Sequence, residues 1–210
     1  MMRDRYGLLW VVNLFALMLF AVMWWSVTHD AWLLVIDECV RNRMPSLRIE
    51  SMDALVKMLT DMNGFVGAAL FFFGAIIFFW QKRWYRAIGF YAVATLGATG
   101  LFAIVKFMVA RTRPEGAIIE MGGYSFPSGH TTMAAAMAFG LYVVLKERTG
   151  RMVMAVVLFV AALGWALLIA STRLYLGVHW FTDVAGGFGL GLWWVTLVRI
   201  VWGKRPLTGD

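Results

Sequence analysis

Residues 152–203, "MVMAVVLFVAALGWALLIASTRLYLGVHWFTDVAGGFGLGLWWVTLVRIVWG", decide how the chain is read. Two apolar runs, near 152–172 and 184–203, flank a short segment that holds Arg173, His179 and Asp183. Each run reaches the length of about 20 residues that a bilayer-crossing helix needs. Ionisable groups beside such runs are expensive, so three of them within one short segment require a purpose.

Outward from that segment, comparable runs fall near 7–28, 64–80, 87–110 and 129–146, making six in all. The 210 residues are 61% hydrophobic and 15% charged, with a mean hydropathy of +0.74, outside the range of a soluble domain. The expected fold is an all-α membrane protein, a bundle of six transmembrane helices in a single integral-membrane domain over 1–210. No internal repeat or low-complexity linker divides it. The first run is longer than the apolar core of a secretory signal and lacks a clean small-residue cleavage pattern, so it reads as a retained helix.

A net charge of +7 raises the question of nucleic acid. The basic residues answer it, because they stand in short clusters between apolar runs rather than along one polar face. Arg3 and Arg5, then Lys82, Arg83 and Arg86, then Lys146, Arg148 and Arg151, then Lys204 and Arg205 all fall on one side of the six-span plan. The positive-inside rule makes that side cytoplasmic, with both termini inside and the remaining loops outside. Arg41, Arg43 and Arg48 run against the rule, although Asp37, Glu38, Glu50 and Asp53 dilute them. Cys39 is the single cysteine, so no intrachain disulfide forms.

The long interruption at 29–64 has Met52, Leu55, Val56 and Leu59 at helical spacing, with a break expected at Pro45 and Ser46. It reads as one or two amphipathic helices lying in the outer interface, either a lid packed on the bundle or a rim that guides a lipid headgroup. Gly187 with Gly191, and Ala94 with Ala98, are spaced for close helix contact.

Three polar patches interrupt the apolar pattern, and the expected topology puts all of them outside. The first, "KFMVARTRPEG" (106–116), carries Lys106, Arg111 and Arg113, which singly also fit a snorkelling lysine and flanking charges. In the second, "YSFPSGHTTMAAAMAFG" (124–140), Ser128 is placed to cap a helix. Gly129 there lets a ligand approach backbone N–H groups at a helix start that favours an anion, with His130 beside it. In the third, His179 and Asp183 stand at i and i+4 and share a face if the segment is helical. A carboxylate on one imidazole nitrogen fixes the tautomer and leaves the other nitrogen free to act. Summed, the patches offer three fixed cations (Lys106, Arg113, Arg173), two neutral donors (Ser128, Gly129) and two histidines, one with an orienting acid. Carboxylates for magnesium are not grouped, and His and Cys are too few for a persuasive zinc site, so no metal or other cofactor is expected. Such a set suits a phosphoryl group, and the membrane setting attaches that group to a lipid.

These residues resemble the type 2 phosphatidic acid phosphatase superfamily, the lipid phosphate phosphatases. That pattern is Lys, six residues, Arg-Pro; then Pro-Ser-Gly-His; then Ser-Arg, five residues, His, three residues, Asp. Lys106 to Arg113-Pro114, Pro127-Ser128-Gly129-His130, and Arg173, His179 and Asp183 match it in order and spacing, with Thr172 in place of the usual serine. The resemblance implies that His179 is a nucleophile forming a phosphohistidine, oriented by Asp183. It implies that His130 protonates the leaving oxygen and later activates water, and that Lys106, Arg113, Ser128, Gly129 and Arg173 hold the phosphate without a metal ion. Similarity to the small bacterial members implies a plasma-membrane enzyme with its site facing the periplasm or exterior, and a substrate such as undecaprenyl pyrophosphate, phosphatidylglycerol phosphate or phosphatidic acid. Glu115, Glu120, Tyr124 and the 29–64 segment are the places for headgroup selection. Transfer of the phosphoryl group to another lipid or sugar is the alternative activity. A scaffold or transporter that only binds lipid phosphate has no use for the His179–Asp183 pair. Oligomeric state is not written in the sequence.

Overall fold

The structure, a computed structural model, describes residues 2–203 and 205–208, with side-chain surroundings given from residue 7 onward. Arg3, Arg5 and Lys204 therefore lie outside the described side chains. Among these described residues, eight helices follow in order: α1 (Met2–Thr28), α2 (Leu34–Leu47), α3 (Glu50–Asp61), α4 (Phe65–Gln81), α5 (Tyr85–Val109), α6 (Gly129–Thr149), α7 (Met152–Tyr175) and α8 (Phe181–Val201). Among the described residues there is no strand.

The bundle is organised around α6 and α8. α6 packs against α5, α7 and α8, and α8 packs along α1. Small residues make this possible. Ala134, Ala135 and Ala136 of α6 are fully buried, as are Ala94 and Ala98 of α5. On α8, a Cβ at Gly187 would stand 2.7 Å from the Ser128 carbonyl oxygen, and one at Gly191 would stand 2.5 Å from that of Thr132. Both contacts are with backbone, which has no rotamer to move aside. Gly191→Ala should therefore lower stability by about 1–3 kcal/mol, the usual range for overpacking. Thermal unfolding in detergent, followed by tryptophan fluorescence, reads this directly.

Among the described residues, four helices are long and apolar enough to cross a bilayer: Gly7–Thr28 of α1, and α5, α7 and α8; α3 and α4, bent by 47° at their break, make a fifth if counted as one span. Leu8, Val11, Phe15 and Met18 on α1, and Met152, Val153, Val157 and Val160 on α7, are exposed as lipid-facing side chains must be. Two of the six expected runs depart from this pattern for different reasons. α4 is only 17 residues long. α6 has a polar first turn and ends in Lys146, Glu147 and Arg148, a composition tolerated because its neighbours shield it from lipid.

The 29–64 interruption forms α2 and α3, but the break falls at Arg48–Ile49 rather than at Pro45–Ser46. Pro45 lies inside α2: it withholds only its own N–H, so the residues after it continue the helix to Leu47, and a tertiary anchor sets the actual corner. Arg48 Nε donates to the Tyr175 carbonyl at 3.0 Å, and the Tyr175 hydroxyl bonds Ile49 and, at 2.8 Å, Asp53. Cys39 is exposed on α2.

At the opposite end, the basic turns gather with the chain's C-terminal segment. Arg86 Nε donates to the Pro206 carbonyl at 3.1 Å, Arg148 lies over Trp84, and Glu147 pairs with Arg199 at 2.9 Å while accepting the Leu207 N–H at 2.7 Å.

Candidate active site

The end of α5, the start of α6 and the α7–α8 connection meet at one end of the bundle. Ser128 caps α6 as expected, its Oγ accepting from the Thr131 N–H at 3.4 Å and from the Thr131 hydroxyl at 3.1 Å. Its own N–H donates to the Asp183 carbonyl at 3.0 Å, which fastens the start of α6 to the start of α8. The Phe126–Pro127 peptide bond before it is cis.

His179 does not lie within α8. It sits two residues before the helix, and Asp183 occupies the first turn, where its Oδ2 accepts the Trp180 N–H at 2.9 Å as a cap. The same oxygen lies 3.3 Å from His179 Nδ1. The i and i+4 spacing thus brings the pair together through a capping turn rather than along a helix face. His179 Nε2 is 3.3 Å from Arg113 Nη1, and the ring lines the cavity described below. Burial pushes the His179 imidazole down to about 4, with Asp183 pulling the other way, so the ring is neutral at pH 7.

Arg113 is held by backbone carbonyls: Val178 at 2.8 Å, Gly123 at 3.1 Å, Tyr124 at 3.1 Å and Gly122 at 3.2 Å. Lys106 Nζ donates to the Tyr124 carbonyl at 2.8 Å. Arg173 is 1% exposed, and its Nη1 donates to Thr60 Oγ1 at 2.8 Å while Nη2 meets the Met121 sulfur. Its Nε has no hydrogen-bond partner among the described residues. A buried guanidinium N–H without an acceptor is costly, and an anion is the acceptor that best offsets it. Thr172 turns its hydroxyl to the Ile169 carbonyl at 2.7 Å and to Thr60 at 3.2 Å.

A cavity of about 450 Å³ opens beside these groups. Lys106, Arg113, Gly129, His130 and His179 line it together with Phe65, Phe72, Phe73, Leu96 and Phe102 of α4 and α5. Gly129 is also a packing requirement, since a Cβ there would stand 2.9 Å from the Phe102 ring. All eight residues singled out in the sequence thus meet at this end of the bundle, and five of them line one cavity.

Several neighbours carried no sequence signal strong enough to place them at the site. Asp37 of α2, 2% exposed, bonds Arg111 and Thr182. Thr60 of α3 meets Arg173, and Asn63 Nδ2 donates to the His130 carbonyl at 2.8 Å. A carboxylate inside "AWLLVIDECV" was the visible hint for Asp37. Arg111 reads as a flanking charge but forms ion pairs with both Asp37 and Asp183. No group of three or more His, Cys, Asp or Glu suited to a metal ion occurs among the described residues.

Known proteins resemble this chain in sequence and in fold. Phosphatidylglycerophosphatase B of Bacillus subtilis is 28% identical over 189 residues, covering 88% of this chain and 92% of that protein. A lipid A 1-phosphatase of Rhizobium johnstonii is 28% identical over 183 residues, covering 73% of this chain and 71% of that protein. The crystal structure of a transmembrane PAP2-type phosphatidylglycerolphosphate phosphatase from Bacillus subtilis matches with a TM-score of 0.74 at 25% identity, covering 92% of this chain and 94% of that one. Aquifex aeolicus LpxE shares the fold, with a TM-score of 0.62 at 22% identity over 78% of this chain and 93% of that one. The sequence pattern of the PAP2 superfamily matches residues 84–206, a stretch that holds all three polar patches. The chain belongs to the PAP2 superfamily, where its matched relatives are bacterial membrane lipid phosphate phosphatases.

Proposed function

We propose that the protein hydrolyses the phosphate of a membrane lipid, in the class of phosphatidylglycerol phosphate, undecaprenyl pyrophosphate or phosphatidic acid, through a phosphohistidine on His179. The cavity carries this reading: cationic and imidazole groups line one space together with aromatic and aliphatic walls. A soluble phosphate ester has no use for those walls, whereas a lipid brings a charged headgroup and an apolar chain together.

In this mechanism Lys106, Arg113, Arg173, Ser128 and the Gly129 N–H hold the phosphate oxygens. His179 Nε2 attacks phosphorus while Asp183 holds the proton on Nδ1. The bond to the leaving oxygen breaks as His130 supplies its proton. His130 then takes a proton from water, the water oxygen attacks phosphorus, the N–P bond breaks, and inorganic phosphate leaves. No step calls for a metal ion.

The setting follows from the same reading. α4 and α6 complete a six-span, single-domain bundle in a bacterial plasma membrane, the basic end and both termini cytoplasmic, the site at the periplasmic or external face. α2 and α3 then lie along the outer interface.

Phosphate release from the three lipids in detergent with EDTA, each beside a His179→Ala control, tests the activity; label found on an added acceptor lipid instead of in free phosphate would make it a phosphotransferase. A second measurement tests the cavity. Ala69→Trp, which fills the wall between α4 and α5, should lower kcat/KM for a long-chain lipid phosphate about tenfold while leaving a short-chain analogue nearly unchanged. Equal effects on both would remove the chain from the cavity.

A further inference from the structure

Resting on the phosphohistidine reading, we propose that Arg111 and Asp37 are positioning residues for the nucleophile, so that α2 is a working part of the catalytic apparatus. The geometry is a closed ring. Arg111 Nη1 donates to Asp183 Oδ1 at 2.8 Å and to Thr182 Oγ1 at 2.7 Å. Arg111 Nη2 donates to Asp37 Oδ2 at 2.7 Å, the oxygen that also accepts the Thr182 hydroxyl at 2.7 Å. Asp37 Oδ1 accepts the Thr182 N–H at 2.8 Å. A helix 145 residues distant in sequence thus caps the first turn of α8, alongside the cap that Asp183 itself provides. The Arg111 guanidinium lies 5.1 Å from the Trp180 ring centroid, which restrains it further.

The ring fixes two properties of Asp183. Its Oδ2 is turned to His179 Nδ1 because its Oδ1 is occupied by Arg111. Its charge remains available to the imidazole because Arg111 is shared with a second carboxylate, Asp37, rather than spent on Asp183 alone. Without Arg111, two buried carboxylates lose their shared cation and Asp183 keeps only the Trp180 N–H to hold it toward His179. Without the Asp37 charge, Arg111 draws more strongly on Asp183 and weakens its hold on the imidazole. Neither residue lines the cavity that receives substrate in this reading, so the effect belongs in the chemical step rather than in binding.

The test uses full-length protein in detergent, with rapid-quench measurement of phosphoenzyme from a ³²P-labelled lipid phosphate. Arg111→Met should slow phosphoenzyme formation about 100-fold with little change in KM, and Arg111→Lys should restore only part of it. Asp37→Asn keeps the shape and the acceptor for the Thr182 N–H, and should slow the same step about tenfold. The double variant Asp37→Asn with Arg111→Met should be no slower than Arg111→Met alone, since both act through one ring. Normal phosphorylation rates in a folded Asp37→Asn or Arg111→Lys protein overturn the proposal, as does a rise in KM with kcat unchanged, or strictly additive losses. If the wild type forms no phosphohistidine, the underlying reading fails first and takes this one with it; a wild type that does form it isolates the result to Arg111 and Asp37.

Discussion

Replacing His179 with alanine should abolish phosphoenzyme and lower phosphate release by about ten-thousandfold or more, the loss typical when a nucleophile is removed from a preorganised site. The expectation rests on three features of the side chain. Its ring is neutral at pH 7 because burial pushes it down to about 4. Its Nδ1 faces Asp183, which fixes the tautomer. Its Nε2 lies beside Arg113, so an attacked phosphoryl group would already be charge-compensated. The protein should nevertheless fold, because the anchors of this turn lie elsewhere. The Trp180 N–H is capped by Asp183, the Thr182 N–H by Asp37, and the Ser128 N–H reaches the Asp183 carbonyl. Tryptophan fluorescence and thermal unfolding should match wild type to within the effect of a modest core truncation. A variant that is unfolded would assign His179 a structural role; a folded variant with residual phosphohistidine would move the nucleophile elsewhere.

The sequence made some of this legible and hid the rest for physical reasons. Lys106, Arg113, Ser128, His130, Arg173, His179 and Asp183 could be found because each is a polar residue set against apolar runs, where it needs a reason to exist. The helices around them were legible from the same runs. α6 departs from the plain span pattern because it is shielded: a helix buried among its neighbours is free to carry the polar first turn and the charged last turn that a lipid-facing helix is not. The contributions of α2 and α3 were hidden for the opposite reason. Asp37, Thr60 and Asn63 lie in a segment of mixed polarity, where a carboxylate or a threonine is unremarked, and only the fold shows that all three turn inward to site residues. Arg111 was concealed by its neighbour Arg113, since two arginines at a helix end satisfy a topology rule before they suggest an ion-pair network. The helical condition attached to the His179–Asp183 pair is not met locally. Gly177, at φ 72°, turns the chain ahead of the histidine, so the pair forms across a cap instead of along a helix.

His130→Ala should separate substrates by their leaving groups. His130 stands in the first turn of α6, its carbonyl tied to Asn63, and its ring lines the same cavity as His179 and Lys106. If it supplies the proton to the departing oxygen, its loss matters most where that oxygen is a poor leaving group. A lipid phosphate monoester releases an alkoxide, so phosphoenzyme formation should fall about a thousandfold. A lipid diphosphate releases a phosphate ester, already stable as an anion, and its phosphorylation should fall only about tenfold. The second half of the reaction adds a sharper signature. Water must still lose a proton to attack the phosphohistidine, and His130 is the base proposed for that step. With the diphosphate substrate the variant should therefore phosphorylate readily and then stall, giving a burst of leaving lipid followed by slow phosphate release. Rapid-quench kinetics on both substrate types read the two steps separately. Equal slowing with good and poor leaving groups would remove the acid role, and a full turnover rate after the burst would remove the base role. The two outcomes are independent, so one residue's dual assignment is testable one half at a time.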